Sequence, residues 1–169
     1  MTDGDEEVLS LCNKNILLNN KCLNASTELL RWDDQSKAKH IIDVRGGTGF
    51  DVIIGADCLY GRDPNIAEHL FASASIVLRN IDNLTSDVER LNSFSEPSLI
   101  LGYERRVGGG DIASVFETAA KHGFDWSLGD DAILDMFGNV ISELTMFWEQ
   151  AVFVFTKRRN ICRESSIVI

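Results

Sequence analysis

The chain has 169 residues, of which 44% are hydrophobic, and this is enough for one domain with a buried core. It carries 16 Lys and Arg against 26 Asp and Glu, a net charge of −10 that repels phosphate backbones and anionic membranes and favours basic protein partners. The N-terminus is acidic, no apolar run approaches the roughly 20 residues of a membrane span, and the cysteines show no C-x-x-C spacing. We therefore expect no nucleic-acid or membrane partner, reduced thiols, and a cytoplasmic or nuclear location.

The first part of the chain predicts one helix and two short strands. Residues 6–20 show an apolar pattern with a four-residue period, and Asp5 can cap a helix at this point. Residues 27–31 are predicted to form a strand. Residues 41–44 are apolar and are interpreted as a second short strand, which leads into a turn rich in glycine at residues 46–49.

The strongest predicted strand covers residues 50–56, which are apolar on both faces, as the central strand of a parallel sheet is. Asp63 and Pro64 are typical of the start of a helix, and an apolar stripe with helical spacing follows. The stripe consists of Ile66, Leu70, Ala74, Val77 and Ile81.

The second half continues the alternation of strands and helices. Residues 98–103 are predicted as a buried strand, after a polar loop over residues 82–97. Asp111 can cap a third helix, which Gly123 ends. Together with the apolar segment 151–156, this pattern predicts an α/β, Rossmann-like domain with a mostly parallel sheet and flanking helices over residues 1–156. The last 13 positions, 157–169, are predicted to be a flexible tail.

Two neighbouring segments are candidates for the functional site. The glycines Gly46, Gly47 and Gly49 could form a phosphate-binding turn of a nucleotide-binding Rossmann-like domain, but such a turn needs a helix directly after it, and here the strongest strand follows. Asp57 and Tyr60 come directly after that strand, where ligands bind in open parallel sheets. We favour the second segment, although Asp57 could merely cap a loop and Tyr60 could merely pack.

Five stretches of the sequence keep an order and spacing that is typical of one protein family. They are TDGD at residues 2–5, NI at 15–16 with Asn19, LRWD at 30–33, FDVIIGADCLY at 50–60 and YERR at 103–106. With these stretches the chain resembles the seven-β-strand methyltransferases of the lysine-methylating group, methyltransferase family 16. The resemblance covers residues 2–126, with a weaker continuation to residue 156.

The resemblance implies a set of residues for binding S-adenosylmethionine. The acidic residue that ends the second strand of the family holds the ribose, and its position here is Asp3. The tryptophan and acid after the third strand flank the adenine and correspond to Trp32 and Asp33. Ala56, at the end of the fourth strand of the family, is expected in the same cofactor site.

The resemblance also implies a catalytic pair and a substrate entrance. The family signature Asp-x-x-Tyr orients the incoming lysine and corresponds to Asp57 and Tyr60. Tyr103, Glu104 and Arg105 follow the next strand and are expected to line the entrance for a lysine-bearing, possibly basic, protein substrate. Methyl transfer from a sulfonium to an amine depends on alignment and desolvation, so no metal and no catalytic thiol are expected. His40, His69 and His122 are far apart in sequence and are not predicted to bind metal.

One departure from the family bears on activity. The glycine-rich motif, with the first strand and helix of the family, should precede Thr2, so the resemblance implies an N-terminally truncated domain. The absent strand would lie between the strand ending at Asp3 and the strand ending at Ala56. We therefore expect weak or absent binding of S-adenosylmethionine in this chain. It is predicted to be either an inactive fragment of a lysine methyltransferase or a non-catalytic binding module.

Overall fold

The computed structural model of the protein describes residues 1–19, 24–59, 65–80, 96–104, 112–128 and 150–158. The helices in these residues are α1 (Glu6–Leu18), α2 (Gln35–Asp43), α3 (Ile66–Val77) and α4 (Ile112–Lys121). The strands are β1 (Thr2–Asp3), β2 (Glu28–Leu29), β3 (Val52–Ala56), β4 (Ser98–Glu104), β5 (Phe124–Leu128) and β6 (Gln150–Lys157). None of the described helices is long and apolar enough to cross a membrane.

The strands form a two-stranded and a four-stranded sheet. Strands β1 and β2 pair in parallel, and the second sheet has the order β3-β4-β6-β5. Strand β3 is parallel to β4, whereas β6 is antiparallel to both of its neighbours, β4 and β5. In the four-stranded sheet only β6 therefore runs against the others. The predicted α/β, Rossmann-like fold with mostly parallel strands and flanking helices is confirmed.

The main core lies where α3 and α4 pack on β4, β5 and β6. Its centre is Phe71 of α3, which is fully buried and contacts the rings of Phe124 and Phe155, at centroid distances of 5.6 and 4.9 Å. A smaller cluster joins the end of β2 to α2 and α3. Trp32 and Ile53 pack against both clusters and so connect the two sheets on the side of α3.

The predicted helices α1 and α4 are confirmed. The Asp5 carboxylate accepts hydrogen bonds from the amides of Glu7 and Val8, which otherwise have no partner in the first turn of a helix. Helix α4 ends at Lys121, and Gly123 follows with a φ of 79°, a conformation that glycine adopts without steric cost. The predicted cap at Asp111 lies outside the described residues.

Helix α3 is shorter at both ends than the sequence predicts. Its N-cap is Asn65, so the expected cap at Asp63 is wrong. Its last residue is Val77, because the chain then leaves the helix and pairs with Phe50. The Phe50 amide donates to the Val77 carbonyl, and the Arg79 amide donates to the Phe50 carbonyl, both at 2.8 Å.

The predicted strand at residues 41–44 is wrong, because these residues belong to the end of helix α2. Asp34 begins this helix by accepting a hydrogen bond from the Lys37 amide at 2.9 Å. Ala38 and Ile41, three positions apart, are its buried residues and face the core together. An apolar run of four residues has the same appearance in a short strand and in the last turn of a helix, and this explains the error.

The glycines after α2 end the helix and do not form a phosphate turn. The Gly47 amide donates to the Ile42 carbonyl at 2.9 Å and the Gly46 amide donates to the Asp43 carbonyl at 3.0 Å, with Gly46 at a φ of 80°. These two bonds are the Schellman pattern of a helix C-terminus. Since β3 and not a helix follows, the nucleotide-binding interpretation of this turn is wrong.

Strand β3 is confirmed, but its predicted central position is wrong for the described residues. It is the first strand of the four-stranded sheet and pairs only with β4 there. Val52 is 41% exposed and Ile54 is 77% exposed, although both are aliphatic. Strand β3 therefore has a sequence that is typical of an interior strand, but it lies at the edge of this sheet.

The predicted boundary of the C-terminal tail is too early. Lys157 is the last residue of β6, and its ammonium group donates to the Ser75 carbonyl at 2.8 Å. The Arg158 amide donates to the Gly123 carbonyl at 2.8 Å. Residues 159–169 lie outside the described residues, as does most of the predicted loop over residues 82–97.

Candidate active site

A cavity of about 460 Å³ lies at the carboxyl ends of β1, β2 and β3, next to the first turn of α3. Parallel strands bring their carboxyl ends to one edge, where ligands bind in open α/β sheets. The volume lies within the range of roughly 300–1,000 Å³ that is usual for small-molecule sites. The lining residues are Thr2, Asp3, Gly4, Leu30, Arg31, Trp32, Asp33, Ala56, Asp57, Cys58, Ile66 and His69.

Asp3 is oriented by the turn between β1 and α1. One oxygen of its carboxylate accepts a hydrogen bond from the Asp5 amide at 2.9 Å. Asp5 in turn caps α1. A carboxylate can accept several hydrogen bonds, so Asp3 can still bind hydroxyl groups of a ligand in the cavity.

A hydrogen bond from helix α3 fixes the backbone of Trp32. The hydroxyl of Ser73, which is only 2% exposed, donates to the Trp32 carbonyl at 2.7 Å. The indole packs against both hydrophobic clusters and also lines the cavity. The bond to Ser73 therefore fixes an aromatic wall of the cavity relative to the main core.

Asp33 forms an ion pair with Arg31 on the rim of the cavity, with 3.2 Å between the Arg31 guanidinium and the carboxylate. The hydrogen bond from Arg31 is the main reason why the pKa of Asp33 lies below its usual value, and the charge of His69 contributes to the same shift. Asp33 is therefore an anion at neutral pH.

The turn after β3 presents Asp57 and Cys58 to the cavity. Asp57 has a φ of 52°, in the left-handed region that is uncommon outside glycine, while its amide still donates to the Gly102 carbonyl at 2.9 Å. Aspartate adopts this conformation more readily than most residues, and strained backbone conformations cluster at functional sites. Burial raises the pKa of the Cys58 thiol, and the charges of Asp57 and Asp3 raise it further, so the thiol stays protonated and is a poor nucleophile.

The structure brings together five of the predicted site residues. Asp3, Trp32, Asp33, Ala56 and Asp57 lie on three different strand ends and line the same cavity. The sequence separates the first from the last by more than 50 positions, so only the fold makes them neighbours. Their individual roles stay predictions.

Of the other predicted site residues, the structure describes Tyr103 and Glu104, and these two are not among the residues that line the cavity. Tyr103 and Glu104 follow Gly102, which pairs with Ala56, so they lie on the same edge of the sheet as Asp57. The ring of Tyr103 packs near Phe153, at a centroid distance of 6.2 Å. Tyr60 and Arg105 lie outside the described residues.

Sequence reasoning missed Arg31 and His69 as residues of the cavity. His69 lies in the first turn of α3, which begins at the same edge of the sheet where β3 ends. The position of a histidine one turn into the helix after the signature could have indicated this. His122 is not among the residues that line the cavity, and it pairs with Glu68 at 2.7 Å. Within the described residues, no group of three or more His, Cys, Asp or Glu could hold a metal ion.

A scan of the chain against protein-family models finds no matching family, and a search of curated proteins finds no match. The cavity and its residues are therefore the basis on which a function is inferred.

Proposed function

We propose that this domain is a methyltransferase that binds S-adenosylmethionine in the cavity and directs its methyl group to a lysine nitrogen of a protein substrate. The observation that carries the proposal is the convergence of Asp3, Trp32, Asp33 and Asp57 on one cavity. The resemblance implies that these four residues bind the cofactor and the lysine, and they come from three segments that lie far apart in the sequence.

The chemical types of the lining residues fit this cofactor. The Asp3 carboxylate, held by the Asp5 amide, can accept hydrogen bonds from the two ribose hydroxyls. Trp32 supplies an apolar aromatic surface for the adenine, and Asp33 can accept a hydrogen bond from its amino group. The carboxylates of Asp3 and Asp57 also favour a positively charged ligand.

S-adenosylmethionine supplies a methyl group bound to a positively charged sulfur, which a neutral amine can take without covalent catalysis by the protein. The carbon–sulfur bond breaks as the carbon–nitrogen bond forms, and the lysine nitrogen must lose one proton before or after this step. Asp57 can hold the amine by a hydrogen bond and receive that proton. Cys58, whose thiol stays protonated, takes no part in the transfer.

We expect weak binding of the cofactor by this chain. Two walls of the cavity come from strands of only two residues each, and the third comes from the unpaired side of β3. Ligand contacts on such short elements are poorly preorganised, and this lowers affinity. The same observation favours the second candidate, a binding domain that holds a ligand or protein at this edge without catalysis.

Photocrosslinking tests cofactor binding even when affinity is low. The protein is irradiated with labelled S-adenosylmethionine, and the labelled peptides are mapped by mass spectrometry. We expect label on the segments around Asp3, Trp32 and Asp57, and we expect Asp3→Asn to reduce it at least threefold. Asp125→Asn, at a distant salt bridge, is the matched control and should leave labelling unchanged. Equal labelling of the three proteins would refute the proposed cofactor site.

A methyl-transfer assay on lysine-rich histone protein separates catalysis from binding alone. If the domain transfers methyl groups, Asp57→Asn should lower the rate by about 10²-fold, which is the contribution that a positioned acid or base makes. The same variant should lose less crosslinking to the cofactor than Asp3→Asn does, because Asp57 is assigned mainly to the lysine nitrogen and Asp3 to the ribose. Crosslinking without any transfer would support the non-catalytic candidate.

A further inference from the structure

One side of helix α3 is directed at the cavity. Ile66, His69 and Ser73 are three and four positions apart, so they follow one another along the same side of the helix. The Ser73 hydroxyl donates to the Trp32 carbonyl at 2.7 Å, so this side faces the segment after β2. Ile66 and His69 line the cavity. The half-buried His69 therefore lies one helical turn from the residue that fixes the backbone of Trp32.

His69 lies near the carboxylate of Asp33. The pKa of Asp33 is lowered mainly by its hydrogen bond from Arg31, and the charge of His69 adds to this shift. Both His69 and Asp33 line the cavity, as does Trp32. A carboxylate only accepts hydrogen bonds, whereas an imidazole donates one in each neutral tautomer and two as a cation. The cavity therefore has an acceptor and a donor near each other, next to an aromatic wall.

The purine bases differ in how well they match such a pair. The amino group of adenine is a donor, and the ring nitrogens on either side of it, N1 and N7, are acceptors. Guanine and hypoxanthine carry an oxygen acceptor at the same carbon, which the anionic Asp33 repels, and their N1 carries a proton. A carboxylate with an imidazole donor beside it therefore fits adenine better than the other two bases.

We propose that His69 sets the preference of the cavity for adenine by donating a hydrogen bond to one of the two ring nitrogens beside the amino group, while Asp33 accepts from that group. The assignment rests on the proposed function, since it takes the adenine of S-adenosylmethionine as the base next to Trp32. The resemblance gives no role to His69. A site that hydrogen-bonds a ligand group rejects an analogue without that group, because a polar atom of the site then loses its partner.

The probes are adenosine, 1-deazaadenosine and 7-deazaadenosine, and each deaza analogue has a C–H group in place of one ring nitrogen. Binding to the full chain is followed by the indole N–H signal of Trp32 in ¹⁵N NMR titrations. His69→Phe removes the donor and keeps a planar ring, whereas His69→Gln keeps an N–H donor. His40→Phe is the matched control, because His40 is exposed on α2 and is not among the residues that line the cavity.

We expect one of the two deaza analogues to bind the natural chain about tenfold more weakly than adenosine, which is the effect of one hydrogen bond. This difference should disappear in His69→Phe, be partly kept in His69→Gln and persist unchanged in His40→Phe. Equal binding of all three nucleosides to the natural chain, or an unchanged difference in His69→Phe, would overturn the proposal. The comparison on the natural chain needs no variant, so it remains a test if His69→Phe fails to fold.

The role of His69 and the proposed function fail in different ways. If S-adenosylmethionine labels the segments around Asp3 and Trp32 but the three nucleosides bind equally, only the role of His69 is refuted. If the nucleosides are distinguished but S-adenosylmethionine gives no label, only the methyltransferase function is refuted, and the cavity binds another adenine compound. Absence of any Trp32 shift with adenosine would overturn the role of His69, and the labelling experiment then decides on the cofactor.

Discussion

The two ends of the molecule differ in how completely their strands are covered. Around β4, β5 and β6, helices α3 and α4 bury Phe71, Leu99 and Phe155 completely. Around β1, β2 and β3, two strands have only two residues each, and the side chain of Ile54 lies mostly in water.

One end of the molecule therefore contributes mainly to the stability of the fold, and the other end contains the candidate site. The core around α3, α4, β4, β5 and β6 contains more buried apolar side chains than the cluster next to β2, so we expect it to carry the larger share of the free energy of folding. The cavity, the left-handed Asp57 and the charged Asp33 all lie at the other end. Ser73 connects the two ends, since it lies in α3 and bonds to Trp32.

The largest effect is expected from Phe71→Ala. Its fully buried ring contacts two other aromatic rings, and its removal should lower the free energy of unfolding by about 3–5 kcal/mol. Ile54→Ala, at the exposed edge, should change it by less than about 0.5 kcal/mol. Urea denaturation measures both, and similar losses for the two variants would remove the distinction between the two ends.

Gly49→Ala is expected to have the next largest effect. Gly49 has a φ of 60°, and an added Cβ would lie 2.8 Å from backbone atoms of Arg79. We expect a loss of about 2–3 kcal/mol from backbone strain and this clash. Gly47→Ala, where the added Cβ meets nothing within 4 Å, should cost only about 1 kcal/mol. An equal loss for both in thermal denaturation would show that φ alone sets the cost.

Ser73→Ala tests the connection between the two ends. Its buried hydroxyl bonds across to Trp32, so its loss should cost about 1–2 kcal/mol. Ser75→Ala removes a hydroxyl that bonds only within α3, to the Ala72 carbonyl, and should cost less. The fluorescence of Trp32 should change in the first variant alone. The reverse order of stabilities would contradict the assigned role of Ser73.

The smallest effect concerns the rim pair of Arg31 and Asp33. The pKa of Asp33 is lowered in the folded chain, mainly by Arg31, so the pair stabilises the fold above the ordinary pKa of aspartate. That contribution is lost as the pH falls through the lowered pKa. In an NMR titration, Arg31→Gln should raise the pKa of Asp33, and thermal stability at pH 7 should fall only slightly, because an exposed ion pair contributes little. An unchanged pKa of Asp33 in the variant would show that Arg31 does not cause the lowered value.

The sequence predicts the well-covered end better than the cavity end. Residues 98–103 and 151–156 are continuous apolar runs, which fit β4 and β6, and Gly123 ends α4 as expected. Helix α2 could not be distinguished from a strand, because its buried face consists of only Ala38 and Ile41. The exposed edge of β3 was not predictable either, since pairing partners depend on contacts between distant segments.

In the candidate site, too, the sequence predicted some residues and missed others. Order and spacing of short motifs indicated Asp3, Trp32 and Asp57, which the fold places around one cavity. Arg31 and His69 were missed, because an exposed arginine and a helical histidine have many ordinary roles. Their part in the cavity becomes visible only when the end of β2 and the start of α3 are seen side by side.

The central claim is that the cavity between β1, β2 and β3 is where this protein binds its small ligand. The chain has three tryptophans, and the indole N–H signals of Trp32 and Trp126 report on the two ends of the molecule in one ¹⁵N NMR titration with S-adenosylmethionine. The account predicts a saturable, weak shift of the Trp32 signal, with the Trp126 signal unchanged. A shift of Trp126 alone, or no shift of Trp32 at millimolar ligand, would contradict it.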